Sequence, residues 1–213
     1  MAKVGSSGPN DRNRLESRRV LRPDQLDFER AMVLVIDVQE KLLPSIVGGE
    51  RVIAAGRKLL EGAGVFELPV LATEQYPKGL GPTHATIRAS LAQSRAKVLE
   101  KPTFSAWADA AVREALLALD RPQIIVMGIE THVCVQQTAL DLRSRDYDVF
   151  VCADAAGSRG SVDHEVALDR MRQAAVCVTT VESVLFELCR RCDTARFKAM
   201  LEIIKRFPPG DTR

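Results

Sequence analysis

The chain has 213 residues, of which 46% are hydrophobic and 5% aromatic, and its formal net charge is +2 at pH 7. This length predicts one domain with a full core, and no apolar run approaches the ~20 residues that span a bilayer, so we expect no membrane association. The N-terminus lacks the apolar core of a secretory signal, and five scattered cysteines favour a reducing compartment, so we expect a cytoplasmic protein.

The first 22 residues differ in charge from the rest of the chain. They contain six lysine and arginine residues against two acidic residues, and this surplus of four positive charges leaves a net charge of −2 for the remainder. We predict a flexible basic tail over 1–22, one domain over 23–205 and a C-terminal tail over 206–213, with organelle targeting by the basic tail left open. The domain has no basic stripe with interleaved aromatic residues, so we expect no nucleic-acid partner.

Short apolar runs alternate with segments of helical spacing along the predicted domain. The runs predict strands over 31–36, 69–73, 97–100, 124–127, 148–152 and 176–180. The segments of helical spacing are 52–60, 108–119, 133–142, 162–175 and 181–188. This alternation predicts an α/β fold with three α/β/α layers, in which a mostly parallel sheet has helices on both faces. Ligands of such sheets bind beyond the carboxyl ends of the strands.

One cysteine lies where a strand gives way to a helix. The strand at 124–127 is followed by Gly128 and then by a helix whose predicted N-cap is Thr131, which puts Cys134 in the first helical turn. Unpaired backbone N–H groups and the helix dipole favour a thiolate there. We therefore consider Cys134 a candidate nucleophile, although a free cysteine also commonly packs as a small hydrophobic residue.

Two further reactive side chains fall at strand ends, Asp37 after the first strand and Lys101 after the third. A doubly wound sheet would bring both to the same edge as Cys134. Asp37 would then take the thiol proton, Lys101 would keep Asp37 ionised and favour the thiolate, and Cys134 would attack an electrophilic carbon. Each residue alone also has a structural explanation: Asp37 as a helix cap, Lys101 as a solvated charge and Cys134 as core.

Three motifs resemble the isochorismatase-like cysteine hydrolase family, which includes nicotinamidases and N-carbamoylsarcosine amidohydrolases. They are V-I-D-V-Q at 35–39, K-P-T-F-S-A-W at 101–107 and G-I-E-T-H-V-C-V at 128–135. The resemblance spans about residues 26–188, and the segments 74–83 and 179–187 are most similar to the isochorismatase-domain-containing subgroup. It implies that Asp37, Lys101 and Cys134 form the family's Asp-Lys-Cys triad, that the substrate is a small molecule and that the protein is a homo-oligomer.

The resemblance also implies how the transition state is stabilised and which chemistry occurs. It places a cis peptide bond between Ile129 and Glu130, and it assigns the backbone N–H groups of Glu130 and Cys134 to an oxyanion hole. The metal-binding motif of nicotinamidases is absent from the 74–83 loop, where His84 stands alone beyond its end, so neither a metal nor a cofactor is implied. Isochorismate hydrolases that cleave a vinyl ether lack this cysteine, so we expect attack on an amide or related C–N bond through a thioester.

Several other residues are weaker candidates. Gln39 would hydrogen-bond substrate or cap a turn, and Phe104 and Trp107 would line an apolar pocket or pack in the core. His132 lies two residues before Cys134, and such neighbours do not face each other on a helix, so a position at the pocket rim is expected. The C-x-x-C pair at 189–192 lacks the strand-to-helix context of redox motifs.

Two other classes of function remain open at this point. An aspartate and a lysine at strand ends also occur in phospho-acceptor signalling domains, although no paired acidic residues for Mg²⁺ are evident beside Asp37 and Cys134 would have no role. A non-catalytic oligomeric scaffold would likewise use the fold without the thiol. The reactivity of Cys134 separates both from a hydrolase.

Overall fold

A sheet of six parallel strands forms the middle of the computed structural model, which describes residues 25–207. The strands are β1 (Ala31–Ile36), β2 (Val70–Gln75), β3 (Lys97–Lys101), β4 (Gln123–Ile129), β5 (Asp148–Gly157) and β6 (Cys177–Thr179). Their order across the sheet is β3-β2-β1-β4-β5-β6. The order reverses between β1 and β4, and such a switch point leaves a crevice beyond the carboxyl ends of the strands.

Eight helices connect these strands or follow them in the described residues. They are α1 (Gly49–Val65), α2 (Pro77–Leu80), α3 (Ala85–Gln93), α4 (Ala110–Leu119), α5 (Gln136–Arg143), α6 (Ser161–Gln173), α7 (Val181–Cys189) and α8 (Ala195–Arg206). A 3₁₀ turn lies at Leu43–Ser45, and a π-helical turn, Thr131–Val135, precedes α5. None of the described helices combines the length and the apolar character needed to cross a membrane.

The alternation of side chains along β1 explains the three layers. Ala31, Val33 and Val35 are buried on the face covered by α1, α3, α7 and α8, while the residues between them are buried on the face covered by α4, α5 and α6. Every residue of β1 is buried, as expected for a central strand of a parallel sheet. The α/β fold with helices on both faces is therefore confirmed.

The structure departs from the predicted elements mainly at their ends. β4 and β5 continue beyond the apolar runs that predicted them, and α3 and α8 were not predicted because each buries only a few side chains on one side. Arg206, the first residue of the predicted tail 206–213, is the last residue of α8, and the guanidinium of Arg57 lies 5.1 Å from the ring centroid of Phe207. The rest of that predicted tail, 208–213, lies outside the described residues. The predicted basic tail over 1–22 lies outside the described residues.

Gly128 allows β4 to approach β1 closely at the residue before Asp37. Its φ of 138° lies outside the range favoured by side chains, and a Cβ there would overlap the carbonyl oxygen of Ile36. Since Ile36 directly precedes Asp37, glycine at this position is needed to place the carboxylate.

We expect Gly128→Ala to destabilise the fold by about 1–3 kcal/mol or more, because backbone has to move to admit the methyl group. The free energy of unfolding in urea measures this loss. Gly64→Ala is the matched control, because Gly64 is helical and a Cβ there meets nothing within 4 Å. Alanine has the higher helix propensity, so the control should be neutral or stabilising. Equal unfolding curves for Gly128→Ala and the native protein would contradict this account.

Candidate active site

Asp37 and Lys101 form a fully buried ion pair at the carboxyl edge of the sheet. The Lys101 Nζ lies 2.7 Å from Asp37 Oδ2, and both side chains have no exposed surface. The Thr73 hydroxyl donates to the other carboxylate oxygen, Oδ1, at 2.7 Å. Asp37 itself has a φ of 53°, a left-handed conformation in which Asp is tolerated better than most residues. Both oxygens of this carboxylate are thus held, as burial of a charge requires.

The Lys101 ammonium is surrounded by acceptors. Besides Asp37 it donates to Gln75 Oε1 at 2.8 Å, to the carbonyl oxygen of Thr103 at 3.0 Å and to that of Phe104 at 3.3 Å. Such a set of charge-assisted hydrogen bonds compensates for the loss of water around the ammonium. Lys101 is therefore a fixed internal charge, and the surface position that its isolated sequence context also allowed is excluded.

Cys134 completes the cluster. It is 6% exposed, lies in the π-helical turn before α5, and its thiol interacts with both Asp37 and Lys101. Burial and then the Asp37 carboxylate raise the pKa of Cys134 to about 12, while Lys101 acts in the opposite direction. Lys101 therefore favours the thiolate as predicted, but burial and Asp37 outweigh it, so the net shift of this pKa is upward and the predicted thiolate is not the resting form. The thiol is protonated and lies beside a carboxylate that can accept its proton.

Two hydroxyl groups connect the segment after Lys101 to the helix after Cys134. The Thr138 Oγ1 donates to the carbonyl oxygen of Cys134 at 2.7 Å and accepts from the backbone N–H of Ala106 at 2.9 Å. The Ser105 hydroxyl donates to Asp141 Oδ2 at 2.6 Å. These bonds fix the distance between β3's carboxyl end and α5, and with it the placement of Cys134 relative to Lys101.

The peptide bond between Ile129 and Glu130 is cis, at the position that the resemblance implies. The carbonyl oxygen of Glu130 accepts from the N–H groups of Val133 and Val135, at 3.1 and 3.2 Å, within the π-helical turn. Thr131 does not cap this turn as predicted, because Glu130 occupies the N-cap position without a side-chain bond to it.

Gln39 is placed differently from its predicted role on the substrate. Its side chain is fully buried, with Nε2 donating to the carbonyl oxygens of Gln75 and Gly81, at 3.0 and 2.6 Å, and Oε1 accepting from the Gln75 N–H at 2.7 Å. Gln39 thus joins the loops that follow β1 and β2. The sequence analysis missed Thr73 and Gln75, although their position at the end of β2 is the same signal that identified Asp37.

The two aromatic candidates lie in different surroundings. Phe104 is 56% exposed, and its carbonyl oxygen contacts Lys101. The Trp107 ring packs edge-on against Tyr147, with centroids 5.7 Å apart, and the Arg145 guanidinium lies 5.1 Å from the Trp107 ring centroid. Tyr147 immediately precedes β5, at the amino edge of the sheet, so the structure does not bring Trp107 to the triad.

Two surface clefts lie away from the triad. One of about 490 Å³ is bordered by α1, α3 and α8, and one of about 400 Å³ lies between the ends of α5 and α6. Within residues 25–207, no cluster of three or more His, Cys, Asp or Glu side chains has the arrangement of a metal site.

Comparison with known proteins identifies relatives over most of the chain. Isochorismatase domain-containing protein 2 from Xenopus laevis is 40% identical over 182 residues, covering 85% of this chain and 87% of that protein. Isochorismatase domain-containing protein 1 from Salmo salar is also 40% identical, over 81% of this chain, and the match spans 60% of that protein's length.

Three solved structures have the same fold. The MAR1 ribonuclease from Caenorhabditis elegans has a TM-score of 0.82 at 32% identity, covering 89% of this chain and 97% of that chain. YcaC from Pseudomonas aeruginosa, with hexane-2,5-diol and covalent acrylamide, has a TM-score of 0.78 at 29% identity, covering 84% and 91%. The Escherichia coli YcaC product, an octameric hydrolase of unknown specificity, has a TM-score of 0.81 at 28% identity, covering 87% and 91%.

The family model of the isochorismatase domain matches residues 31–183. This range begins with β1 and extends into α7, so it contains Asp37, Lys101 and Cys134 together with the strands that position them. With a match over most of the chain and relatives at 40% identity, this chain belongs to the isochorismatase family and has the family's hydrolase fold.

Proposed function

We propose that this protein is a cysteine hydrolase that cleaves an amide-type C–N bond of a small molecule through a thioester. The observation that carries the proposal is the buried contact of a protonated thiol, Cys134, with the paired charges of Asp37 and Lys101. A nucleophile beside a base that a third group holds in place is the recurring arrangement of covalent catalysis. A phospho-acceptor domain or a scaffold would leave this thiol without a role.

The first half of the reaction forms the thioester. The thiol proton passes to Asp37 as the sulfur bonds to the carbonyl carbon, and the carbonyl oxygen becomes an oxyanion. The backbone N–H groups of Glu130 and Cys134 would donate to that oxygen, and loss of one such donor typically costs roughly 10²–10³ in rate. The Lys101 ammonium lies 2.7 Å from the Asp37 carboxylate and holds it in place before the transfer.

The second half restores the enzyme. Asp37 returns its proton to the nitrogen as the C–N bond breaks, and ammonia or an amine leaves. Asp37 then takes a proton from water while the water oxygen attacks the thioester carbon. The C–S bond breaks, the carboxylic acid leaves and loses its remaining proton to water, and the proton on Asp37 returns to the Cys134 sulfur. One carboxylate therefore serves as base and acid in turn.

The relatives support a small electrophilic substrate and an oligomer. One YcaC structure contains covalent acrylamide, a small amide electrophile, and another is of an octameric hydrolase. We extend to this chain a small-molecule substrate and a homo-oligomer, and we place Phe104 at the rim of the site. The five unpaired cysteines favour the cytoplasm.

RNA hydrolysis, suggested by the relative named MAR1 ribonuclease, is the second candidate, and RNA cleavage by the purified protein tests it.

Ammonia release from a panel of small primary amides and ureides tests the proposal. For any amide that is turned over, Cys134→Ala should lower kcat by at least about 10³-fold, because the attacking atom is lost. The mutation removes only a sulfur, so the circular dichroism spectrum should be unchanged. The control is Cys192→Ala, since Cys192 is exposed and should be dispensable. Undiminished turnover by Cys134→Ala would end the thioester mechanism.

A further inference from the structure

Three consecutive side chains before Cys134 are bonded to the segment that follows β5. The Glu130 Oε2 accepts from Arg159, the Thr131 Oγ1 is 2.9 Å from His164 Nδ1, and the His132 Nδ1 is 3.0 Å from Ser158 Oγ. The last paired residues of the β4–β5 ladder are Ile129 and Gly157. Beyond the ladder, side chains thus replace backbone hydrogen bonds in joining the two segments.

The bond between Glu130 and Arg159 is the charged member of this set. Both the backbone N–H and the Nε–H of Arg159 donate to Glu130 Oε2, each at 3.0 Å. The Glu130 side chain is 9% exposed, whereas that of Arg159 is 64% exposed. The buried Glu130 carboxylate therefore accepts its hydrogen bonds from a residue whose own side chain is mostly exposed to solvent.

The backbone around Arg159 is held independently of its side chain. The carbonyl oxygen of Ser158 accepts from the Val47 N–H at 3.0 Å, and Arg159 is followed by Gly160, the N-cap of α6. Arg159 thus has an anchored backbone from which its guanidinium can restrain Glu130. Ion pairs with an exposed partner add little to the free energy of unfolding, so we expect this pair to act on the local position of Glu130.

We propose that Arg159 is a positioning residue for the oxyanion hole, acting through Glu130. It restrains the Glu130 residue whose N–H is assigned to the oxyanion, while Cys134 is placed separately by Asp37, Lys101 and Thr138. The proposal rests on the proposed function. It predicts that Arg159 affects one property of the site and not another. The stabilisation of an oxyanion depends on Arg159, whereas the reactivity of the Cys134 thiol does not.

Two small reagents distinguish these properties at the same sulfur. Acetyl transfer from p-nitrophenyl acetate to Cys134 passes through an oxyanion: the S–C bond forms, the C–O bond breaks, and p-nitrophenolate leaves. Iodoacetamide alkylates the thiolate by displacing iodide from a saturated carbon, so no oxyanion forms. The two rates at Cys134 are measured by p-nitrophenolate absorbance above the Cys134→Ala background and by mass spectrometry of the Cys134 peptide.

For Arg159→Ala we expect acetylation of Cys134 to slow by about 10- to 100-fold while alkylation changes by less than about twofold. Glu130→Gln should show the same pattern as Arg159→Ala, slower acetylation with little change in alkylation, but to a smaller extent. The reason is that glutamine keeps an acceptor oxygen and loses the charge. The double variant should be no slower than Arg159→Ala if Arg159 acts through Glu130. Arg172→Ala is the matched control, because Arg172 forms a surface ion pair with Asp169 on α6.

Three results would overturn the positioning role. Equal acetylation rates in Arg159→Ala and the native protein would mean that Arg159 is dispensable. A parallel fall in both rates would mean that it only maintains the site's structure, and additive effects in the double variant would mean that it acts apart from Glu130. Failure of the proposed function is a different result: Cys134 in the native protein would be alkylated by iodoacetamide but not acetylated above background.

Discussion

Replacing Lys101 by methionine should lower the free energy of unfolding by about 3–5 kcal/mol, the usual cost of leaving one partner of a buried ion pair uncompensated. The reason is specific to this site, since Asp37 and Lys101 have no exposed side-chain surface. Without the ammonium, the carboxylate keeps only uncharged side-chain donors among the described residues, the Thr73 hydroxyl and the Cys134 thiol. Urea unfolding followed by circular dichroism measures the loss.

Two controls separate burial from charge. Lys205→Met removes a lysine whose Nζ is 2.8 Å from Glu202 on the exposed face of α8, and it should have no measurable effect. The double variant Lys101→Met with Asp37→Asn should recover much of the lost stability, because both charges are then gone. If the double variant were as unstable as Lys101→Met alone, the loss would come from packing of the lysine side chain, and the electrostatic explanation would be wrong.

Asp37→Asn should change hydrolysis and alkylation in opposite directions. Hydrolysis of any amide substrate should fall by about 10²–10⁴-fold, because asparagine cannot accept the thiol proton or return it to the leaving group. Alkylation of Cys134 by iodoacetamide should accelerate, since the Asp37 carboxylate raises the pKa of Cys134 and its removal lowers that pKa. The thiolate fraction at a fixed pH is then larger.

The pH dependence of alkylation shows directly in which direction the pKa of Cys134 is shifted. With the pKa of Cys134 at about 12, the alkylation rate of the native protein should still be rising at pH 10, where an ordinary thiol has levelled off. The profile of Asp37→Asn should level off at lower pH, and exposed Cys192 in the same sample provides the ordinary profile. Slower alkylation of Asp37→Asn at every pH would contradict the contribution of Asp37, beside that of burial, to the raised pKa of Cys134.

The position of the triad residues could be predicted because it depends on topology. Asp37 and Lys101 end strands, Cys134 follows one, and parallel strands bring their carboxyl ends to one edge. The protonation of Cys134 could not be predicted, because burial and the distance to Asp37 are properties of the folded chain. The same limit applies to Gln39 and Trp107, whose partners come from Gly81 and from the amino edge of the sheet.

The ends of the strands were likewise predictable only where the local sequence determines them. β1 was predicted with its observed ends because it is apolar throughout and stops at a charged residue. β5 continues through Asp154 to Gly157, and its register with β4 shifts within this strand. The second half of β5 was not predicted because it lacks the apolar run that predicted the first half. Asp154 accepts from the Val181 N–H at the start of α7, a long-range contact that local sequence does not reveal.

The burial of the triad makes the site a steric filter. Cys134 is 6% exposed, and the charges beside it have no exposed surface, whereas Cys192 is open to solvent. We therefore expect a bulky oxidant such as a peptide disulfide to react with the exposed Cys192 thiol before the buried Cys134 thiol. For the proposed hydrolase, access therefore favours a narrow, planar terminal carboxamide, which has the smallest cross-section among amides, over a substituted amide within a polymer.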